Sequence, residues 1–263
     1  MQTEELVERW NAIRAQGKSV YTNLYRNIAS FPAQEWDATA SELTLCLFLF
    51  EGGARRVQFV TSDSDDLARM LAAVKEPAAI DMVGRNPSAL AGALAKGGFH
   101  PIAQMHRWAN RDISAALGGN GIINKTYGNI NSGGVAREDD ARQILDIYRK
   151  TFDTRISHLP SLGELKENID HGEVVIHREA GRIRTILQRT IEPKRFYIHQ
   201  VYNDGEKAWL HGIILSELRR YYAQGGRYLY AWIQDTNIAS QKMHAKYGMA
   251  PDGLWDVVYA NCP

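Results

Sequence analysis

The chain has 263 residues, 44% of them hydrophobic, and a formal net charge of +1. That length and apolar content suit two compact domains, and the even charge excludes the basic footprint that nucleic acids or anionic membranes attract. Two cysteines, Cys46 in an apolar run and Cys262 next to the end, imply no disulfide framework or metal site and fit a reducing compartment, most simply the cytoplasm.

Taken in order, residues 3–16 read as a helix with Leu6, Trp10 and Ile13 on one face. MQTEELVERW is acidic and amphipathic, unlike a signal peptide, which starts basic and then turns apolar. A second helical pattern covers 20–28 through Val20, Leu24, Tyr25 and Ile28, and Phe31-Pro32 breaks it. LTLCLFLF, 43–50, reads as a buried strand and is far too short to span a bilayer. Glu51-Gly52-Gly53 reads as its hairpin turn, with a return strand at 56–61. The cluster SDSDD then offers an N-cap for the helix LARMLAAV. A short strand at 79–83 precedes a helix opened by Asn86-Pro87 and ended by Gly97-Gly98. FHPIAQMHRW, 99–108, is again extended. ALGGNGIINKTYGNINSGG, 116–134, lacks periodicity and is rich in Gly and Asn. It is the expected linker, with part of it able to pair as the first strand of the second half.

The second half opens on a helix at 137–152, with Ala141, Ile144, Leu145 and Tyr148 inward and acidic residues in the first turn, where the helix dipole favours them. DTRISHLPSLGEL, 153–165, is a loop into another helix. Residues 173–190 read as a hairpin turned at Ala180-Gly181. RFYIHQVYN comes next as a strand. A long helix then runs through Leu210, Ile213, Ile214, Leu218 and Tyr221 and stops at Gly225-Gly226. RYLYAWIQD is a strand, and TNIASQKMHAKYGM a helix. A strand, helix, strand unit with a short first turn gives a parallel pair and aims the helix N-terminus at that turn, where a phosphate-bearing ligand can sit.

The stretch 195–249 resembles the core of the GCN5-related N-acetyltransferases, the GNAT superfamily. The most specific part is Asn237, then Ser240, Met243-His244 and Gly248-Met249, which match the family's Asn, small residue, apolar-Tyr pair and Gly-Phe. The resemblance covers roughly residues 135–260 as a complete domain. The order from 56 to 108 parallels that from 195 to 260, and ALAKGGF at 93–99 is similar to HAKYGM at 244–249. This self-similarity implies a tandem. The expected fold is an α/β mixed-sheet tandem of GNAT-like domains, each a central sheet flanked by helices. Residues 1–115 form a degenerate copy, 116–134 a linker and 135–263 the acyltransferase domain.

The resemblance implies an N-acyltransferase that moves an acyl group from an acyl-CoA, the donor substrate, to an amine of a small molecule or peptide, with no metal. No nucleic acid or membrane partner is expected, and a homodimer is the expected assembly if any. The thioester would lie where strands 196–202 and 228–234 part, with backbone N–H groups around Gln200, Val201 and Tyr202 polarising its carbonyl. The proton donor to the leaving thiolate is a Tyr in the family. His244 stands at its place here, and an imidazolium can donate near neutral pH. Tyr247 is a second phenol nearby. His199 is the best general-base candidate, and Arg155 and His158 lie on the loop that walls the acceptor pocket in relatives. Asn237 and Ser240 would contact the pantetheine arm or cap their helix.

The phosphate loop departs from the family pattern of Arg or Gln, two residues, Gly, one residue, then Gly or Ala. In NDGEKAWLHGI, ungapped matching puts Trp209 and His211 where the glycines belong. One inserted residue brings Lys207, Leu210 and Gly212 into better register. In the first half SDSDD puts acidic groups at that turn and Leu94 stands at the proton donor's place, so no chemistry is expected there. Two other readings stay open. One is a donor from a carrier protein or an aminoacyl-tRNA, which would dispense with a glycine loop. The other is a non-catalytic pseudo-acetyltransferase that only binds.

Overall fold

The computed structural model describes the chain except residues 17–18, 25–27, 29–31, 119–125, 128–132 and 263. It forms two compact units, each assembled from non-contiguous segments. Unit one takes Met1–Gln104, Asp153–Leu159 and Trp255–Pro263, and unit two takes Met105–Phe152 and Pro160–Leu254.

Unit one begins with α1, Thr3–Arg14, whose Leu6, Trp10 and Ile13 are buried. Next come β1, Tyr21–Thr22; β2, Ala38–Ala40; β3, Thr44–Glu51; and β4, Ala54–Thr61. β3 and β4 form an antiparallel hairpin from Thr44↔Thr61 to Glu51↔Ala54. Its two turn residues, Gly52 and Gly53, have φ of 63° and 81°, a pair of positive values that tight hairpins demand and only glycine adopts cheaply. α2, Ser64–Ala72, starts on Asp63, whose carboxylate accepts from the amides of Asp65 and Asp66. β5, Ala79–Gly84; α3, Ala91–Lys96; and the start of β6, His100–Asn110, come after it.

Two apolar layers sandwich this sheet. Leu45, Leu47 and Val60 pack with α1 on one face. Cys46, Val57, Phe59 and Ile80 pack with Leu67, Leu71 and Leu94 of α2 and α3 on the other. The period-2 alternation of half-buried strands produces this division. Two expectations fail here. The helix expected over 20–28 is replaced at Tyr21–Thr22 by a strand antiparallel to β4, because pairing with β4 outweighs a weak local helical pattern; 25–27 lie outside the described residues. The helix after Asn86-Pro87 starts only at Ala91, behind a turn.

Unit two contains α4, Ser114–Leu117; β7, Gly134–Val135; a short 3-10 turn at Glu138–Asp140; α5, Ala141–Thr151; and α6, Leu162–Asp170. It continues with β8, Val174–Glu179; β9, Arg182–Glu192; β10, Arg195–Asn203; α7, Lys207–Ala223; β11, Leu229–Gln234; α8, Ile238–Ala245; and the start of β12, Ala250–Ala260. Within it the strands run in the order β6, β11, β10, β9, β8, β7. All neighbours are antiparallel where paired except β10 and β11. α7 buries Leu210, Ile213, Ile214, Leu218 and Tyr221 against Phe196, Ile198, Leu229, Ala231 and Ile233. Beside that core Arg189 of β9 bonds Glu217 of α7 through Nε at 2.8 Å, with both residues buried.

The contiguous division at 115 and 135 is corrected by strand exchange in the sequence. Residues 105–110 of β6 pair with β11, from Gln234↔Met105 to Leu229↔Asn110. The distal half of β12 pairs with β5, from Trp255↔Gly84 to Ala260↔Ala79. Each unit is thus closed by a strand from the other half of the sequence. Asp153–Leu159 also folds with unit one. Arg56, 1% exposed, donates Nη1 and Nη2 to the carbonyls of Arg155 and Thr154 at 2.8 and 2.9 Å and pairs with Asp81. Most of the expected 116–134 linker lies outside the described residues, and Gly134–Val135 does pair, with β8. Among the described residues no helix is long and apolar enough to cross a membrane, and no cluster of His, Cys, Asp and Glu could hold a metal ion.

Candidate active site

The parallel pairing of β10 with β11 covers Phe196↔Leu229, Tyr197↔Tyr230 and Ile198↔Ala231 and then ends. β10 nevertheless continues along β9 to Asn203↔Thr185, and β11 continues along β6 to Gln234↔Met105. The two strands therefore part beyond Ile198 and Ala231. β10 bulges at the same point, because its register on β9 shifts between Ile198 and Val201. A bulge leaves one residue out of the ladder and re-aims its backbone groups. His199 and Gln200 occupy it, and Val201 returns to register opposite Leu187.

His199 is half-buried. Its Nε2 lies 2.9 Å from Thr190 Oγ1, its ring centre is 3.9 Å from that of Tyr197, and burial pulls its imidazole down to about 4. It is neutral at ordinary pH. Gln200 is buried. Tyr202 donates its hydroxyl to Asp204 at 2.9 Å, and burial, followed by the Asp204 carboxylate, raises its pKa and keeps it protonated.

The helix that starts after β10 is open at its N-terminus. Glu206 is the N-cap of α7 and makes no side-chain cap, so no side chain occupies the first turn, although the Trp209 amide bonds the Glu206 carbonyl at 3.1 Å. Lys207 is exposed at its first position and Gly212 is buried within it. The bulky residues of the expected phosphate loop pack against other rings. Trp209 stacks on His177 with ring centres 4.1 Å apart. His211 turns inward: its Nδ1 is 2.7 Å from the Tyr247 hydroxyl, and Tyr127 stacks on its ring at 4.5 Å. Burial first, then the charges of Lys246 and Lys207, hold His211 near 4. Two lysines therefore act on His211, and Lys246, the C-cap of α8, is one that sequence reasoning missed. Its signal is the cluster of lysines around His244 in QKMHAKYGM, which only the fold brings toward α7.

Asn237 caps α8, accepting from the amide of Ser240 at 3.0 Å. Ser240 in turn faces His244, which is 2% exposed. His244 Nδ1 lies 2.8 Å from the Ser240 carbonyl, and because a carbonyl only accepts, Nδ1 carries the proton. Nε2 is therefore the bare nitrogen, buried and without a hydrogen-bond partner among the described residues. Burial pulls the ring to about 4, against the Ser240 bond. The imidazolium donor expected at His244 is corrected by this geometry: near neutral pH the ring is uncharged and its open nitrogen accepts. Tyr247 is no substitute, since it is fully buried and its hydroxyl is spent on His211.

The corresponding positions of unit one are closed. Asp63 occupies the first amides of α2, and Leu94 is fully buried.

Comparison with solved structures places this fold in a known class. A GCN5-related N-acetyltransferase from Sphaerobacter thermophilus superposes with a TM-score of 0.50 at 10% identity, over 83% of this chain and 76% of that one. No protein-family model and no curated protein matches the chain. The fold is that of the GCN5-related N-acetyltransferases. More narrowly, it is the tandem form. A tandem GNAT protein from the clavulanic acid biosynthesis pathway matches 99% of this chain with 96% of its own, at a TM-score of 0.53 and 12% identity. A Drosophila protein matches 98% with 87% of its own at 0.52 and 13%.

Proposed function

We propose that unit two is an N-acyltransferase taking an acyl group from an acyl-CoA to the amine of a small molecule or peptide. The observation that carries this is the parting of β10 from β11 at the β10 bulge, beside a helix start that no side chain caps. The thioester carbonyl would meet the backbone at the bulge, where the ladder to β9 changes register, and the pyrophosphate the first turn of α7 with Lys207 and Lys246.

A neutral amine attacks the carbonyl carbon, the C–N bond forms and the carbonyl pair moves to oxygen. The intermediate then collapses, the C–S bond breaks and CoA leaves as its thiolate. The proton shed by the new ammonium neutralises that thiolate, so the step balances without an imidazolium. His199, neutral at the bulge, and His244, with a bare Nε2, serve as hydrogen-bond acceptors along that path.

Titration calorimetry with acetyl-CoA and with a longer acyl-CoA tests the reading. Micromolar binding is expected, weakened about tenfold in Lys207→Ala/Lys246→Ala by the loss of charge-assisted phosphate contacts. Thiol release on addition of an amine panel should then fall in His244→Gln with acyl-CoA affinity retained. No binding at millimolar acyl-CoA would leave a donor on a carrier protein or tRNA, or a module without chemistry.

A further inference from the structure

Unit one has the same parallel pair, and its gap can be followed atom by atom. β4 and β5 are parallel and pair only at Arg56↔Ala79. One residue further on, where unit two leaves its strands apart, a side chain bridges them. Asn23, 5% exposed, donates Nδ2 to the carbonyl of Val57 on β4 at 2.9 Å and to that of Asp81 on β5 at 3.2 Å. Its Oδ1 accepts from the Phe59 amide at 2.7 Å. Thr22 Oγ1 donates to the Phe59 carbonyl at 2.7 Å. Where the strands lie wider, main chain replaces side chain, and Thr22 and Tyr21 pair with Val60 and Thr61. The edge of β4 that a ligand would use is thus consumed from Val57 to Thr61. Buried backbone groups need such partners, and a primary amide is the side chain that reproduces a peptide rung, with donor and acceptor together.

We propose that unit one shuts its own donor cleft with the chain's N-terminal segment: Tyr21–Thr22 and the Asn23 carboxamide sit between β4 and β5 as an intramolecular stand-in for the extended arm of a thioester ligand. Asp63 closes the neighbouring helix start in the same sense, by capping α2. The consequence, resting on the function proposed for unit two, is one acyl-CoA per chain.

The test uses the full chain. Asn23→Asp keeps the acceptor and loses both donors, placing a carboxylate against two carbonyls. It should lower the melting temperature by about 10 °C near neutral pH, given three buried hydrogen bonds lost or strained. The deficit relative to the wild type should shrink as acid protonates the new carboxyl, since the acid form donates again. Deuterium exchange should rise in 57–61 and 79–84, while acyl-CoA affinity stays within twofold. Thr22→Val, a milder change, gives the same exchange pattern if Asn23→Asp does not fold. Unchanged stability and exchange in both variants would overturn the proposal, as would two acyl-CoA molecules per wild-type chain. Absence of any acyl-CoA binding would sink the function of unit two instead, and exchange would still decide whether Asn23 closes the gap.

Discussion

Folding stability should peak near neutral pH and fall on both sides, because the two units carry buried groups shifted in opposite senses. In unit two, burial holds His199, His211 and His244 near 4. Unfolded, each titrates at its ordinary 6.5, so between those values the unfolded chain binds more protons and acid favours unfolding. Each histidine forfeits about 2 kcal/mol between about pH 6.5 and 5. In unit one, burial and then the Asp81 carboxylate push Asp256 up to about 8, against the pull of Arg56. There the folded chain holds the extra proton. Its stabilisation is complete below the unfolded value of 3.8 and is lost as pH rises to about 8. Over the acid interval this works against the histidines, but three histidines outweigh one carboxyl, so stability still falls from about pH 6.5 to 5. Above pH 6.5 the unfolded histidines still bind part of a proton each and offset much of the Asp256 loss, so the alkaline limb is the shallower one. Urea titrations followed by tryptophan fluorescence from pH 4.5 to 8.5 measure this directly. His244→Gln should flatten the acid limb, and Asp256→Asn the alkaline one. Stability that is constant or rising from pH 6.5 to 5 would refute the burial of neutral histidines.

Other outcomes rest on single contacts. Arg189→Met leaves Glu217 buried without its main partner and should cost about 3–5 kcal/mol, whereas Arg189→Met/Glu217→Leu should recover most of it, a cycle readable by denaturant melts. Ala180 holds φ of 49° in the β8–β9 turn, so Ala180→Gly should stabilise by about 0.5–1 kcal/mol in the same assay through relief of left-handed strain.

Much of the fold was legible in the sequence. The hairpin at Gly52-Gly53, the Asp63 cap, the 173–190 hairpin and the strand, helix, strand core are local, and periodicity or turn chemistry specifies each. The Asn237-to-Met249 pattern carried the resemblance, and the structural comparisons bear out its fold. Less legible were features that depend on distant pairing. Tyr21–Thr22 looked helical because its strand partner, β4, lies far along the chain. The contiguous domain division failed because β6 and β12 are each one strand in sequence yet have residues in both units. His244 stood at the matching position, but its protonation state depends on burial and on the Ser240 carbonyl, which a motif does not encode.

The sequence by itself determined most of the elements and the tandem, since these are set by local period, caps and turns. Tertiary structure alone decided which cleft is open. Whether β4 and β10 keep a free edge depends on what other segments bond to it: Asn23 reaches β4 from outside the strand pair, and at β10 the matching pairing simply ends at Ile198. Backbone groups are satisfied by whatever partner the completed fold brings within reach, and that partner is set by three-dimensional packing rather than by neighbouring residues.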